Sequence, residues 1–140
     1  MADIENRNYN KNKDAILETV VNIINNLKAE NDSEMNIGVT LLVNGKILSG
    51  EIISTNKYME LQARSFEKCN GNNEIRKAFS DGFSNMKNAL DVNKDIIEEC
   101  NFIHLDNVSI INENNNKLSI NGTFRIKLSD VSGFMFGQCE

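Results

Sequence analysis

The sequence predicts an α+β fold: a small, strongly curved antiparallel β-sheet or barrel of about five strands, with an N-terminal helix and a helical insert between strands 2 and 3. Three observations predict it. Apolar residues recur at helical spacing over residues 14–29 and again over 74–91. Residues 37–53 alternate around Asn44-Gly45, the residue pair that a type I′ hairpin turn prefers because both central positions need φ > 0. The final third returns to a period of two in short segments broken by Asn and Gly.

Each element has its own grounds. Residues 1–12 are polar with mixed charges and read as a flexible tail, which leaves 13–140 as one α+β domain. In the first helix Ile16, Val20, Ile23 and Leu27 form the stripe, widened by Leu17, Val21 and Ile24, and Asn12 or Asp14 can cap its start. The home sheet is the expected cover for that stripe, with a partner helix as the alternative. After the polar break Asn31-Asp32-Ser33-Glu34, the two-residue turn sets the hairpin register: Val43 opposite Lys46, Leu41 opposite Leu48, Val39 opposite Gly50 and Ile37 opposite Ile52. One face is then almost wholly apolar and the other mixed, while Gly50 marks a bend or bulge.

The helical insert spans about 56–100. Its first helix, about 56–67, carries Tyr58, Met59, Leu61 and Phe66, and a loop with Gly71 follows. In its second, about 74–91, Ile75, Phe79, Phe83, Met86 and Leu90 share a face with Ala78 and Gly82, and that face is expected to be core. Residues 92–101 can add a short helix through Val92, Ile96, Ile97 and Cys100. Over 102–111 the alternation changes phase at Asp106-Asn107, as a β-bulge would cause. Leu118 and Ile120 lead through Asn121-Gly122 to Phe124, Ile126 and Leu128 as edge strands, with 129–133 a turn and 134–136 a last short strand.

Composition narrows the function. Twenty acidic against fifteen basic residues give a net charge of −5, which argues against a reader of phosphate backbones or anionic lipid. There is no apolar run of the length a membrane span needs and no basic-then-apolar leader, so the cytoplasm is the expected location. Cys69, Cys100 and Cys139 lie far apart without metal-type spacing and read as free thiols of a reducing compartment. With no proline in the chain, turns fall to Gly and Asn.

The single histidine, His104, lies between Ile103 and Leu105 and points to the opposite face, where a carboxylate such as Asp106 could pair with it. It lacks the nucleophile, orienting group and oxyanion donors of a catalytic set, and a structural role is the stronger reading. Glu98-Glu99 point to different sides of a helix, and no glycine-rich phosphate loop or His/Cys cluster is present. No cofactor, metal or catalytic site is expected. Phe134 and Phe136 beside Met135 could stack bases, but without a basic groove they read as a packed edge.

Three ordered segments carry a family resemblance. They are 39–50, with Ile53-Ser54 and Tyr58 following; Phe102-Ile103-His104-Leu105-Asp106-Asn107; and Phe124-Arg125-Ile126-Lys127-Leu128-Ser129-Asp130-Val131-Ser132-Gly133-Phe134. Together they resemble the gas vesicle accessory protein GvpU family over roughly residues 37–137, with Phe124, Ile126 and Ser132 standing where that pattern has Trp, Gly and Asp. The resemblance implies a non-enzymatic accessory of gas vesicles that associates with the shell and influences its formation or clustering. Its implied partners are shell or other accessory proteins, and it brings no catalytic residues. His104, Arg125, Asp130, Gly133 and Phe134 lie in the matching motifs as interfacial or fold-specifying positions, and Arg125 can pair with Asp130 or face a partner. Open edge strands such as 118–128 can pair between chains and the 74–91 stripe can be shared, so a homo-oligomer is expected. The competing readings are a small-barrel binder of single-stranded nucleic acid, for which a strand–Asn-Gly–strand unit is also suited, and an enzyme built around His104.

Overall fold

The computed structural model describes residues 12–27, 37–68, 71–92 and 100–138. The tail up to residue 11, the break at 31–34, Cys69, Cys139 and positions 93–99 of the expected short helix over 92–101 lie outside the described residues; Cys100 and Asn101 at its end are not helical.

Asp14 caps helix α1 (Ala15–Asn26), its Oδ1 accepting from the N–H groups of Ile16 at 2.8 Å and Leu17 at 3.1 Å. Then come β1 (Ile37–Val43), β2 (Lys46–Ile53), helices α2 (Thr55–Lys68) and α3 (Asn73–Val92), and β3 (Phe102–Ile111). The chain continues through β4 (Lys117–Ser119), β5 (Phe124–Lys127), a 3₁₀ turn (Leu128–Asp130) and β6 (Val131–Phe136). The α+β architecture and the insert between strands 2 and 3 follow the expectation. The sheet has six antiparallel strands and is not closed.

The β1–β2 register is the one the turn dictates, from Val43 opposite Lys46 to Ile37 opposite Ile52. Asn44 and Gly45 take φ of 52° and 77°, the left-handed pair of a type I′ turn. The bulge is also present. Between Ser49–Ser109 and Glu51–Asp106 the register slips so that Gly50 faces both Asn107 and Val108, with Asn107 at φ 51°. A Cβ on Gly50 would stand 2.9 Å from the Asp106 carbonyl oxygen, so only glycine lets the strands approach there.

Beyond β3 the strands divide. β4 pairs with one half of β3 and β5 with the other, whereas β6 crosses to pair with β1 at the opposite edge. The last strand is therefore longer than the expected 134–136, and Val131 to Gly133 belong to it.

The strong curvature follows from chain reach. Lys127 pairs with Phe102 and Val131 pairs with Val43. In a flat sheet those corners would lie more than about 30 Å apart, four strand spacings across and the length of β2 along. Four residues reach about 14 Å at most. The sheet must therefore curl until opposite corners meet.

α1 covers the concave face. Leu17, Val21 and Ile24 pack with Val39, Leu41, Leu48, Ile52, Ile103, Leu105, Val108, Ile126, Leu128 and Val131 in one buried cluster. The centre of the α1 stripe lies one position away from the expected one. Leu17, Val21 and Ile24 face the core, whereas Ile16, Ile23 and Leu27 are 64%, 53% and 51% exposed. Neighbouring positions on a helix differ by about 100°, so a broad apolar surface leaves the choice of inward side to the sheet.

Candidate interaction surfaces and the His104 pocket

α2 lies on the outer sheet face beside β3 and β5. Ser54 Oγ accepts from the Lys57 N–H at 3.0 Å at its start, and Thr55 N–H donates to Asn25 Oδ1 at 2.9 Å, tying the helix to α1. Gln62 Nε2 donates to Thr123 Oγ1 at 2.6 Å. The Tyr58 ring rests on His104 with centroids 4.4 Å apart.

That contact buries His104 almost completely, at 1% exposure. Its neighbour from β5 is Arg125, whose Nη1 lies 3.4 Å from His104 Nε2, and among the described residues Asp106 forms no hydrogen bond or ion pair with the ring. An arginine N–H can only donate, so Nε2 accepts and the ring proton sits on Nδ1. Nδ1 is buried and has no hydrogen-bond partner among the described residues. Desolvation, and secondarily the Arg125 charge, lower the His104 pKa to about 4, so the ring is neutral at physiological pH. Arg125 also places its guanidinium carbon 3.9 Å from the Phe102 ring centroid. A neutral imidazole with one wall aromatic and the other cationic suits packing between sheet and helix.

The remaining motif residues are dispersed. Asp130 is exposed in the 3₁₀ turn and forms no ion pair with Arg125 among the described residues. It lines an open polar cleft of about 580 Å³ with Lys13, Asp14, Ser129 and Ser132. Gly133 sits opposite Leu42 in β6, and Phe134 packs on the core opposite Leu41, with Phe136 edge-on at 5.5 Å. Asn44 and Gly45 are exposed at the hairpin tip. No group of three His, Cys, Asp or Glu side chains that could hold a metal ion occurs among the described residues. Cys100 is a free, buried thiol whose pKa is pushed up by burial.

The larger surprise is α3. It packs on α2 through Phe83 and Phe79, both stacked on Phe66 at 5.5 and 5.0 Å, and through Ser80, whose Oγ lies 3.4 Å from Glu67 Oε1. The expected core stripe is not buried. Ile75, Phe79 and Met86 are 57%, 52% and 45% exposed, and Ser80 is the buried residue of α3 among those described. The Leu90 side chain lies outside the described residues. Because α3 rests on α2 rather than on the sheet, its α2-facing side is the one covered by the described residues. The sequence shows the stripe; the layer beneath it depends on tertiary placement.

The family model described as gas vesicle protein GvpU-like matches residues 14–139. The chain belongs to this family. Neither the curated proteins nor the solved structures give a match. The GvpU-like match runs from the cap of α1 past the end of β6, so it takes in the helical insert as well as the sheet. No described helix of this GvpU-like chain is long and apolar enough to cross a membrane.

Proposed function

We propose that this chain is a non-enzymatic accessory protein that works in the cytoplasm at the gas vesicle surface, associating with the shell and influencing its formation or clustering. The observation that carries this reading is membership of the GvpU-like gas vesicle family over residues 14–139.

The surface chemistry supports it. Exposed apolar side chains line the outer side of α1 (Ile16, Ile23, Leu27) and recur on α3 (Ile75, Met86 and the part of Phe79 that Phe66 leaves uncovered). Aligned apolar stripes of this kind are what a protein-walled partner can cover. The His104 pocket, walled off and neutral, favours a structural part over a catalytic one. Clustering further needs each molecule to hold more than one contact, to the shell and to a copy of itself.

Flotation tests the reading. Purified chain mixed with isolated gas vesicles is expected to rise with the buoyant layer. A chain left entirely in the clear phase would overturn it.

A further inference from the structure

We propose that the outer edge of β6 is a dimerisation edge, on which the β6 strand of a second copy of this chain adds in antiparallel pairing centred on Met135. The proposal deepens the self-association named above, and it does not require the vesicle.

The two edges of the sheet are built differently. One is interrupted, made of the three-residue β4 and the four-residue β5, and carries Lys117, Arg125 and Lys127. Short strands and cations are the usual devices against unwanted strand addition. The other edge is β6, six residues of sequence Val-Ser-Gly-Phe-Met-Phe with no charge and no proline. Among the described residues β6 pairs with β1 alone.

The backbone also defines which groups are free. Gly137 N–H donates to the Gly38 carbonyl at 2.8 Å. By the alternation of an antiparallel ladder, Met135 and Gly133 also turn their N–H and C=O toward β1, and Phe134 and Phe136 turn theirs outward. A two-fold axis at Met135 sets Phe134 opposite the second copy's Phe136 and Phe136 opposite its Phe134. All the outward groups of these residues are then satisfied by each other.

The side chains fit the same arrangement. Phe136 is 47% exposed and Met135 56% exposed, on opposite faces of the strand, with Leu42 beside Met135 at 43%. Across the axis Phe134 and Phe136 form cross-strand aromatic pairs on one face, and Met135 meets its own copy on the other. No charge opposes a like charge, which makes the strand compatible with itself. An isologous contact of this kind closes at two copies.

The experiment uses the full chain without vesicles. Sedimentation velocity from about 1 to about 500 µM is expected to show a monomer–dimer equilibrium, as a small interface implies. Met135→Lys places two cations at the axis and is expected to raise the dissociation constant about tenfold or more. Phe136→Pro removes an outward N–H that β1 does not use, which an edge strand tolerates, and is expected to do the same. Far-ultraviolet circular dichroism, unchanged in both variants, separates loss of pairing from loss of fold. Hydrogen exchange is expected to protect the Phe134 and Phe136 amides at high concentration and release them on dilution.

A wild-type chain that stays monomeric throughout would overturn the proposal, as would these two amides exchanging freely in a dimer. So would dissociation by Phe79→Glu on α3 with Met135→Lys inert, which would assign self-association to the helix. Flotation is read separately, so loss of the dimer leaves shell association standing, and the reverse.

Discussion

His104 combines features that seldom serve stability: burial at 1% exposure, a cationic neighbour and an orphaned Nδ1–H. An unmet buried donor costs about 1–3 kcal/mol. His104→Phe keeps a ring against Tyr58 and removes that donor, so it is expected to hold or raise stability at pH 7.5 in urea denaturation. The pH dependence has a definite sign. The folded pKa of about 4 lies below the ordinary 6.5, so the unfolded chain binds the proton more readily. The contribution of the neutral ring is intact above pH 6.5 and is lost as pH falls toward 4, at up to about 1.4 kcal/mol per pH unit. Wild type should lose stability through that window relative to His104→Phe; parallel curves would contradict the assignment. Gly50 is the second decisive residue. Gly50→Ala sets a methyl against the Asp106 carbonyl and is expected to cost about 1–3 kcal/mol. Gly50 and the Asn44-Gly45 turn were readable in sequence because a glycine opposite an alternating strand and an Asn-Gly pair have few backbone uses. The surroundings of His104 were not, since Tyr58 and Arg125 arrive from distant segments.

At the scale of elements, periodicity was a reliable guide to what each segment is and a poor guide to which side it buries. The hairpin register followed because a two-residue turn leaves no freedom. α1 and α3 carry apolar residues over a broad arc, a little under half their circumference, so which part of it turns inward was chosen by layers the pattern does not contain. β6 began earlier than expected because Val131 to Gly133 read locally as a turn, and pairing with β1 extends them. The exposed side of α3 yields a direct test. Phe79 is half exposed and shares its ring stacking on Phe66 with Phe83, so Phe79→Glu should cost no more than about 1 kcal/mol of stability. If α3 contacts the shell, the same variant should sharply reduce the fraction that floats with vesicles. Undiminished flotation, with the folded state intact by circular dichroism, would remove α3 from the contact.

For the molecule as a whole, charge and apolar surface make opposite demands on any association. A net charge of −5 repels acidic partners and other copies of the chain, and salt weakens that repulsion with a Debye length of about 8 Å at physiological ionic strength. The proposed contact surfaces, α1, α3 and the β6 edge, are instead led by Ile, Leu, Met and Phe. An association resting on those side chains has little Coulomb attraction to lose. Raising sodium chloride from about 50 to about 500 mM should therefore leave both the floating fraction and the dimer fraction unchanged or higher. Binding through Arg125, Lys127 and Lys117 at the opposite edge would behave in the reverse way, falling steeply over the same range. A salt titration of flotation and of sedimentation thus distinguishes the two edges of the sheet without altering a residue. Release of the chain from vesicles by moderate salt would place the contact on the cationic edge and count against the apolar stripes.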